Sequence, residues 1–461
     1  MTAARAPSAP FADSPGPRVS LETVLENWWP LAASWLLMGF ELPAVSAALA
    51  RLPDPDRSLA AYGGVVFPLA LLIESPILML LAASTALSRD LHSYRVGRRF
   101  MLALGLGFTA LHGLVAFTPL FDVIAARWLR VPAEILEPSR LGLRIMLPWT
   151  VSIAFRRFHQ GVLIRFGQAR SVGAGTAVRL TAMASVLGFG LTWRHLPGIV
   201  VGTCAVISGV VSEALFAFWR VRPILAGPLR QAPAVRPPLD SRRFARFYFP
   251  LMITPLFYIL SMPLASAAMS RMDRPLESLA AWPVLNGLVF TLRSTGFALN
   301  EVVVAMLDRP GAAAALRRFA ALLAATTSSL LLIAAVTPIG HWWFASVSAL
   351  APALATLGAS ALWVAAPMPG LAALQSLYQG TLVHAHRTRG VTESVIAYFV
   401  VAAAVMVSGP LVLRHLSGLY VAIAGMAAGN AAQWLWLATR ARGLDRPAAT
   451  PPTTTPRTPA A

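Results

Sequence analysis

Long apolar runs alternate with short breaks rich in Arg, Pro and Gly along almost the whole chain. Most of the runs reach the roughly 20 residues that an α-helix needs to cross the hydrocarbon of a bilayer, and their boundaries predict twelve helices. The first six cover about 24–50, 58–88, 98–124, 138–165, 171–193 and 198–221. The second six cover about 243–270, 278–307, 314–340, 351–383, 391–414 and 418–440. Residues 222–242, between the sets, have the Pro, Gly and Arg of an exposed linker. The predicted units are therefore a disordered tail over 1–23, an N-lobe over 24–221, the linker, a C-lobe over 243–443, and a second disordered tail over 444–461.

The pattern of the first set returns in the second at an offset of 219 or 220 residues. Trp29, Pro30 and Leu31 answer to Phe249, Pro250 and Leu251, and Pro43 answers to Pro263. Ser58–Ala61 (SLAA) recurs as Ser278–Ala281, and Arg98, Arg99 and Phe100 recur as Arg317, Arg318 and Phe319. Gln160, Gly161 and Arg170 reappear as Gln379, Gly380 and Arg389. Each repeat holds an even number of helices, so both halves enter from the same side. This makes them parallel repeats about an axis along the membrane normal, an organisation found mainly in alternating-access transporters.

Composition agrees with a multi-spanning membrane protein: of 461 residues, 57% are hydrophobic and 12% charged. A formal charge of +19 would suggest nucleic acid in a soluble protein, but these basic residues gather in short loops, where they set orientation, and no nucleic-acid partner is expected. Arg95, Arg98, Arg99, Arg165, Arg170, Arg309, Arg387 and Arg389 are assigned to loops after even-numbered helices, which places both termini in the cytoplasm. The chain contains no Lys, a bias pointing to a GC-rich bacterial source and a plasma-membrane location. No apolar signal segment precedes the first span, and the single Cys204 excludes an intramolecular disulfide. No metal site and no cofactor is expected.

Ionisable groups inside apolar spans are functional candidates because charge in hydrocarbon is expensive. Glu74 and Arg293 each fall near the middle of a span, and the repeat sets Arg293 against Ile73 and Glu74 against Ser294. Glu301 follows Arg293 by about 12 Å along the helix and roughly 80° around it, so it is a candidate second acid. Asn286 and Asn300 add polar handles to the same helix, or bond neighbouring helices. Arg144 and Arg179 either draw an anion into the first lobe or satisfy Glu213 internally, the second being favoured. His112 reads as a hydrogen-bonded core histidine or a proton relay, while Glu41 and Glu393 lie close enough to helix ends to snorkel. Pro43, Pro76, Pro263 and Pro283, with Gly287 and Gly296, mark candidate hinges where carbonyls are freed.

Tyr94–Arg99 (YRVGRR) is similar in part to the loop signature of the major facilitator superfamily. More residues resemble the multidrug and toxin extrusion proteins: the Trp28–Pro30 entry, Pro43 in helix 1, the SLAA-Tyr start of helix 2, and the Gln160–Gly161 and Gln379–Gly380 steps before Arg170 and Arg389. These belong to a superfamily shared with polysaccharide and lipid flippases. The entries NWWPL and FYFPL, the SLAAYG step and the region of Gly296 also look like the progressive ankylosis proteins, exporters of small anionic metabolites. The resemblance covers about 24–440 and implies that helices 1, 2, 7 and 8 line a cleft between two six-helix lobes, with helices 2 and 8 facing each other. In that geometry Glu74 and Arg293 would pair across the cleft in one conformation, hold the lobes in permanent register, or each reach water without partnering.

The function expected is a secondary active transporter, not an enzyme, exporting an organic small molecule with H+ or Na+ as coupling ion, surrounded by lipid and acting as a monomer. A midplane Arg and the lack of a carboxylate in helix 7 favour an anionic substrate, since guanidinium suits carboxylate and phosphate alike. A lipid-linked oligosaccharide flippase and a facilitator-type transporter are the transport alternatives, and a membrane scaffold or receptor is the non-transport one.

Overall fold

The computed structural model describes residues 19–442. Among these, ten helices are long and apolar enough to cross a membrane, and two more complete a set of twelve. In chain order they are α1 (Leu21–Leu49), α2 (Pro55–Leu87), α3 (Leu91–Phe117), α4 (136–165), α5 (Ala169–Trp193) and α6 (Gly198–Ala226), then α7 (Ser241–Met269), α8 (Pro275–Met306), α9 (Ala312–Val336), α10 (Pro352–His384), α11 (Thr388–Val412) and α12 (Gly418–Ala441). The composition of α4 is diluted by Arg140, Arg144, Arg156 and Arg157, and that of α12 by Gly, Asn and Gln.

Three boundaries differ from the sequence expectation for local reasons. Asp90 caps α3 by accepting from the Ser93 amide at 2.7 Å, so α3 starts seven residues early and Arg95, Arg98 and Arg99 lie on its first turns, not in a loop. Helix α1 begins at Leu21, inside the stretch assigned to the tail: Ser20 caps it and the Val19 amide bonds Pro310 O at 3.0 Å. Helix α6 runs into the expected linker as far as Ala226, and Asp90 holds the linker by accepting from the Val235 amide at 2.8 Å. The remainder of the 1–23 tail and the whole of 444–461 lie outside the described residues.

The repeat is written in the backbone as well as in the sequence. Left-handed residues recur at related positions: Asp54 and Arg274 just before α2 and α8, Arg130 and Ala349 before α4 and α10, and Gly167 and His386 before α5 and α11. Before α4 and α10 the chain makes the same hook, a wide helical turn (Val123–Leu129, Trp343–Val347) closed by Val131 N to Ala125 O and by Leu350 N to Phe344 O, both at 3.0 Å.

Small residues let the lobes meet. At the end of the bundle away from the termini, Gly63 and Gly64 of α2 lie so close to Pro283 and Leu279 of α8 that a Cβ on Gly63 would stand 2.3 Å from the proline ring. Toward the termini α2 and α8 turn to their own lobes. Gly161 of α4 sits against Leu81 and Ser84, and Gly380 of α10 sits against Asn300 and Val303, which accounts for the repeated Gln-Gly step. The first helix of each lobe leans on the other: Trp28 of α1 donates to Thr295 O of α8 at 3.0 Å, and Tyr248 of α7 donates to Pro76 O of α2. The α2–α8 contact between the lobes is thus tight at the far end, whereas toward the termini the lobes meet through α1 and α7.

Pro43 lacks the N–H that would bond Gly39 O; α1 breaks at Phe40, and the freed carbonyl accepts from Thr291 Oγ1 of α8 at 2.9 Å. Pro76 likewise sits in a tightened turn that interrupts α2. Pro263 and Pro283 break nothing, since α7 and α8 run on through them.

Candidate functional site

At mid-depth, where α1, α2, α4 and α5 of the first lobe face α7, α8 and α12 of the second, the lobes enclose a cavity of about 350 Å³. Its N-lobe wall holds Glu41, Glu74, Arg156, Arg157 and Arg179, and its C-lobe wall holds Tyr258, Asn286 and Arg293. Tyr62, Phe67, Trp149 and Phe290 supply apolar and aromatic surface, the mixture expected of a small-molecule site.

The N-lobe charges form a chain. Arg179 donates to both oxygens of Glu41 and stands 3.8 Å from Glu213, whose carboxylate also takes Arg156 Nη1 at 2.8 Å and Gln160 Nε2 at 2.9 Å. These two acids and two guanidiniums cancel. Taking them from water together makes their burial tolerable, and removing any one would strand a partner. Glu74 is 2% exposed, has Arg156 and Arg157 as its nearest opposing charges, and leaves Oε2 without a hydrogen bond.

On the opposite wall Arg293 is 3% exposed and is held by neutral acceptors: Nη2 donates to Tyr258 Oη at 2.9 Å and to Asn430 Oδ1 at 3.0 Å. Gln375 fixes Asn430 through its carbonyl at 2.7 Å. Among the described residues neither Arg293 nor Arg157 has a carboxylate within 4 Å. Counting the whole assembly, three carboxylates meet four guanidiniums, which leaves a positive excess facing the cavity.

The other candidates are dispersed. Glu74, Arg293 and Asn286 line the cavity, but Glu74 and Arg293 do not pair in this conformation: Arg293 is held by Tyr258 and Asn430 on its own wall, and Glu74 keeps Oε2 unbonded on the other. Glu301 is exposed beside Trp35 of α1, and Asn300 lies against α10 with Oδ1 unbonded; neither lines the cavity. Arg144 does not reach Glu213: it donates to Ala116 O at 3.1 Å and covers the Phe117 ring at the far end of α3. Glu41 does not snorkel, because Arg179 holds it at the cavity. Glu393 does sit at a helix end, bonded to Arg440 at 2.7 Å. His112 is a core histidine, bonded to Thr150 Oγ1 at 3.1 Å and Leu143 O at 3.0 Å. Gly287 packs on Pro43, and Gly296 packs on the backbone of Ala372 and Ala373.

Arg156 and Arg157 line the cavity but are not among the candidates named from the sequence. Two adjacent guanidiniums nine residues inside the end of a predicted span carried the same signal that singled out Arg293.

No protein-family model and no curated protein matches the chain. Solved structures do. A multidrug resistance MATE family transporter of the MOP superfamily, in an inward-facing conformation, superposes with a TM-score of 0.69 at 14% identity over 90% of this chain and 98% of that one. The chain shares the fold of that structure. An outward-facing MATE family transporter gives 0.64 at 16% identity over 93% and 97% of the two chains. Lipid II flippase MurJ in an inward closed conformation gives 0.67 at 13% identity over 89% and 87%. The MOP fold also disposes of the facilitator signature, since residues 94–99 lie inside α3.

Proposed function

We propose that the protein is an alternating-access secondary transporter that exports a small organic anion, with the central cavity as its substrate site. The observation that carries this reading is the pair Arg157 and Arg293, guanidiniums on opposite walls of one cavity that, among the described residues, have no carboxylate within 4 Å. A buried charge without a counter-ion is costly, so an anion arriving there gains charge-assisted hydrogen bonds and relieves that cost. Asn286 and Tyr258 orient the ligand, and H+ or Na+ supplies the driving force. The arginine-rich end of the bundle, with both termini, faces the cytoplasm of a bacterial plasma membrane, so the cavity loads from inside.

Lipid-linked oligosaccharide flipping is a second reading, supported by the likeness to lipid II flippase MurJ and by the same need for anion contacts. A cavity of about 350 Å³ suits a small solute and favours the first.

The test is counterflow into proteoliposomes with labelled organic anions, a lipid-linked sugar and a cationic dye. Small-anion flux should fall about 100-fold in Arg293→Ala, the value of a hydrogen-bonded charge. Dye transport by wild type that survives Arg293→Ala would overturn the anion reading, whereas flux of the lipid-linked sugar alone would select the second.

A further inference from the structure

Two arginines join the lobes at the end away from the termini, and the repeat relates them. Arg51 follows α1 and Arg271 follows α7, 220 residues apart. Each braces itself on the carbonyl four residues back in its own helix, Arg51 Nη1 on Ala47 O and Arg271 Nη1 on Ala267 O, both at 2.7 Å. Each then extends across the interface to the last carbonyls of the hook in the other lobe. Arg51 Nη2 reaches Ser346 O at 3.1 Å and Val347 O at 2.9 Å; Arg271 reaches Leu129 O at 3.2 Å and Trp128 O.

The chemistry suits the task. The final carbonyls of a helical turn lack partners within it and carry the negative end of its dipole, and a planar guanidinium can hold two of them at once. The left-handed residues Arg130 and Ala349 end the two turns alike and present these carbonyls in the same way.

We propose that Arg51 and Arg271 form a paired latch that holds the extracellular side shut while the cavity faces the cytoplasm, and that both grips must release before the transporter turns outward. This inference rests on the alternating-access reading and goes beyond it by naming the groups that set the balance between the two states. Other contacts at this end, Gly63 on Pro283 and Gly64 on Leu279, are apolar and resist separation without direction. The latch is directional, because its bonds fail once the hooks withdraw by a few ångströms. Both grips oppose the same separation, so losing either should shift the closed-to-open ratio by roughly tenfold, and losing both by more than either alone.

The test uses the full chain in nanodiscs with spin labels at His195→Cys and His415→Cys, exposed residues of the α5–α6 and α11–α12 connections on opposite lobes at this end, in a Cys204→Ala background. Interlobe distances are read by pulsed electron resonance. Wild type should show a dominant short distance and a minor long one that grows when the cytoplasmic side is closed by substrate. Arg51→Ala and Arg271→Ala should each enlarge the long population, the double variant should make it dominant, and Arg→Lys at both positions, with one compact ammonium for each fork, should fall between. Comparable values for the lysine variant and wild type, or a double alanine variant with the wild-type distribution, would overturn the latch while leaving alternating access intact. A single distance under every condition in wild type would overturn alternating access itself, and the latch with it.

Discussion

At positions related by the repeat, the first lobe places ions where the second places neutral groups. Glu41 and Arg179 stand where the C-lobe has Ser261 and Tyr398; Arg156 and Glu213 stand where it has Gln375 and Gln433. One connection survives the change of chemistry, since Arg179 bonds Glu41 and Ser261 Oγ lies 3.0 Å from Tyr398 Oη, while Gln375 turns to Asn430. One helical frame therefore supports either a buried ionic network or a neutral one at the same depth. The N-lobe balances its charges internally, apart from Arg157, with only Glu74 near it. Among the described residues the C-lobe has no acid on its cavity wall, so none of them there neutralises Arg293. Net charge in the cavity comes from this asymmetry between two copies of one fold.

The contrast breaks most directly at Arg179. Its replacement by alanine strands Glu41 and weakens the setting of Glu213, so unfolding in detergent should become easier by about 3–5 kcal/mol. Tyr398→Phe, the related change in the C-lobe, removes one neutral hydrogen bond and should cost about 1 kcal/mol. Equal losses in denaturant titrations would mean that the two networks are energetically alike.

A sharper test converts one lobe toward the other. Arg156→Gln alone leaves Glu213 short of its main donor and should cost about 3 kcal/mol. Adding Glu213→Gln, which gives the N-lobe the C-lobe's residues at both positions, should recover most of that loss, because neutral amides carry no charge to desolvate. Additive losses in this cycle would contradict the idea that the pair acts as a unit.

The smallest effect concerns helix starts. Helix α3 has the Asp90 cap, whereas α9 begins at Gly311 with no side-chain cap. Asp90→Ala should cost about 1 kcal/mol. Burial pushes the Asp90 carboxyl up, but hydrogen bonds from Ser93 and Val235 outweigh this and hold it below its ordinary value. The contribution is thus fully present above the unfolded aspartate pKa and is lost as pH falls through the lower folded one. Protection of the Val235 amide from exchange should fall in that acid window in wild type and be low throughout in Asp90→Ala.

Depth along the membrane was legible from sequence, because each residue adds a fixed rise and the ends of apolar runs are clear. The twelve spans, the repeat and the mid-depth placement of Glu74 and Arg293 all follow from it. Azimuth was not legible. A helix that is apolar on every side gives no moment to orient it, so Glu301, spaced to reach the cleft, lies beside Trp35 instead, and Arg144 was assigned to a network that it does not reach. The Glu41–Arg179 bond joins residues 138 apart on separate helices, and no local pattern encodes it. Arg156 and Arg157 were within reach of the depth argument and were hidden by their nearness to the arginines at the end of α4.

The break at Gly39–Pro43 also bears on mechanics. Helix α1 is two levers on one pivot, its first part resting on the C-lobe and its last part on α6 and α8, while α7 passes through three prolines as a single rod. Under the alternating-access proposal, rocking one lobe against the other would flex the pivot on one flank and tilt the rod on the other. The two flanks of the cavity would then differ in stiffness, and the proposed rotation, twofold in the static frame, is expected to swing further on the side of α1.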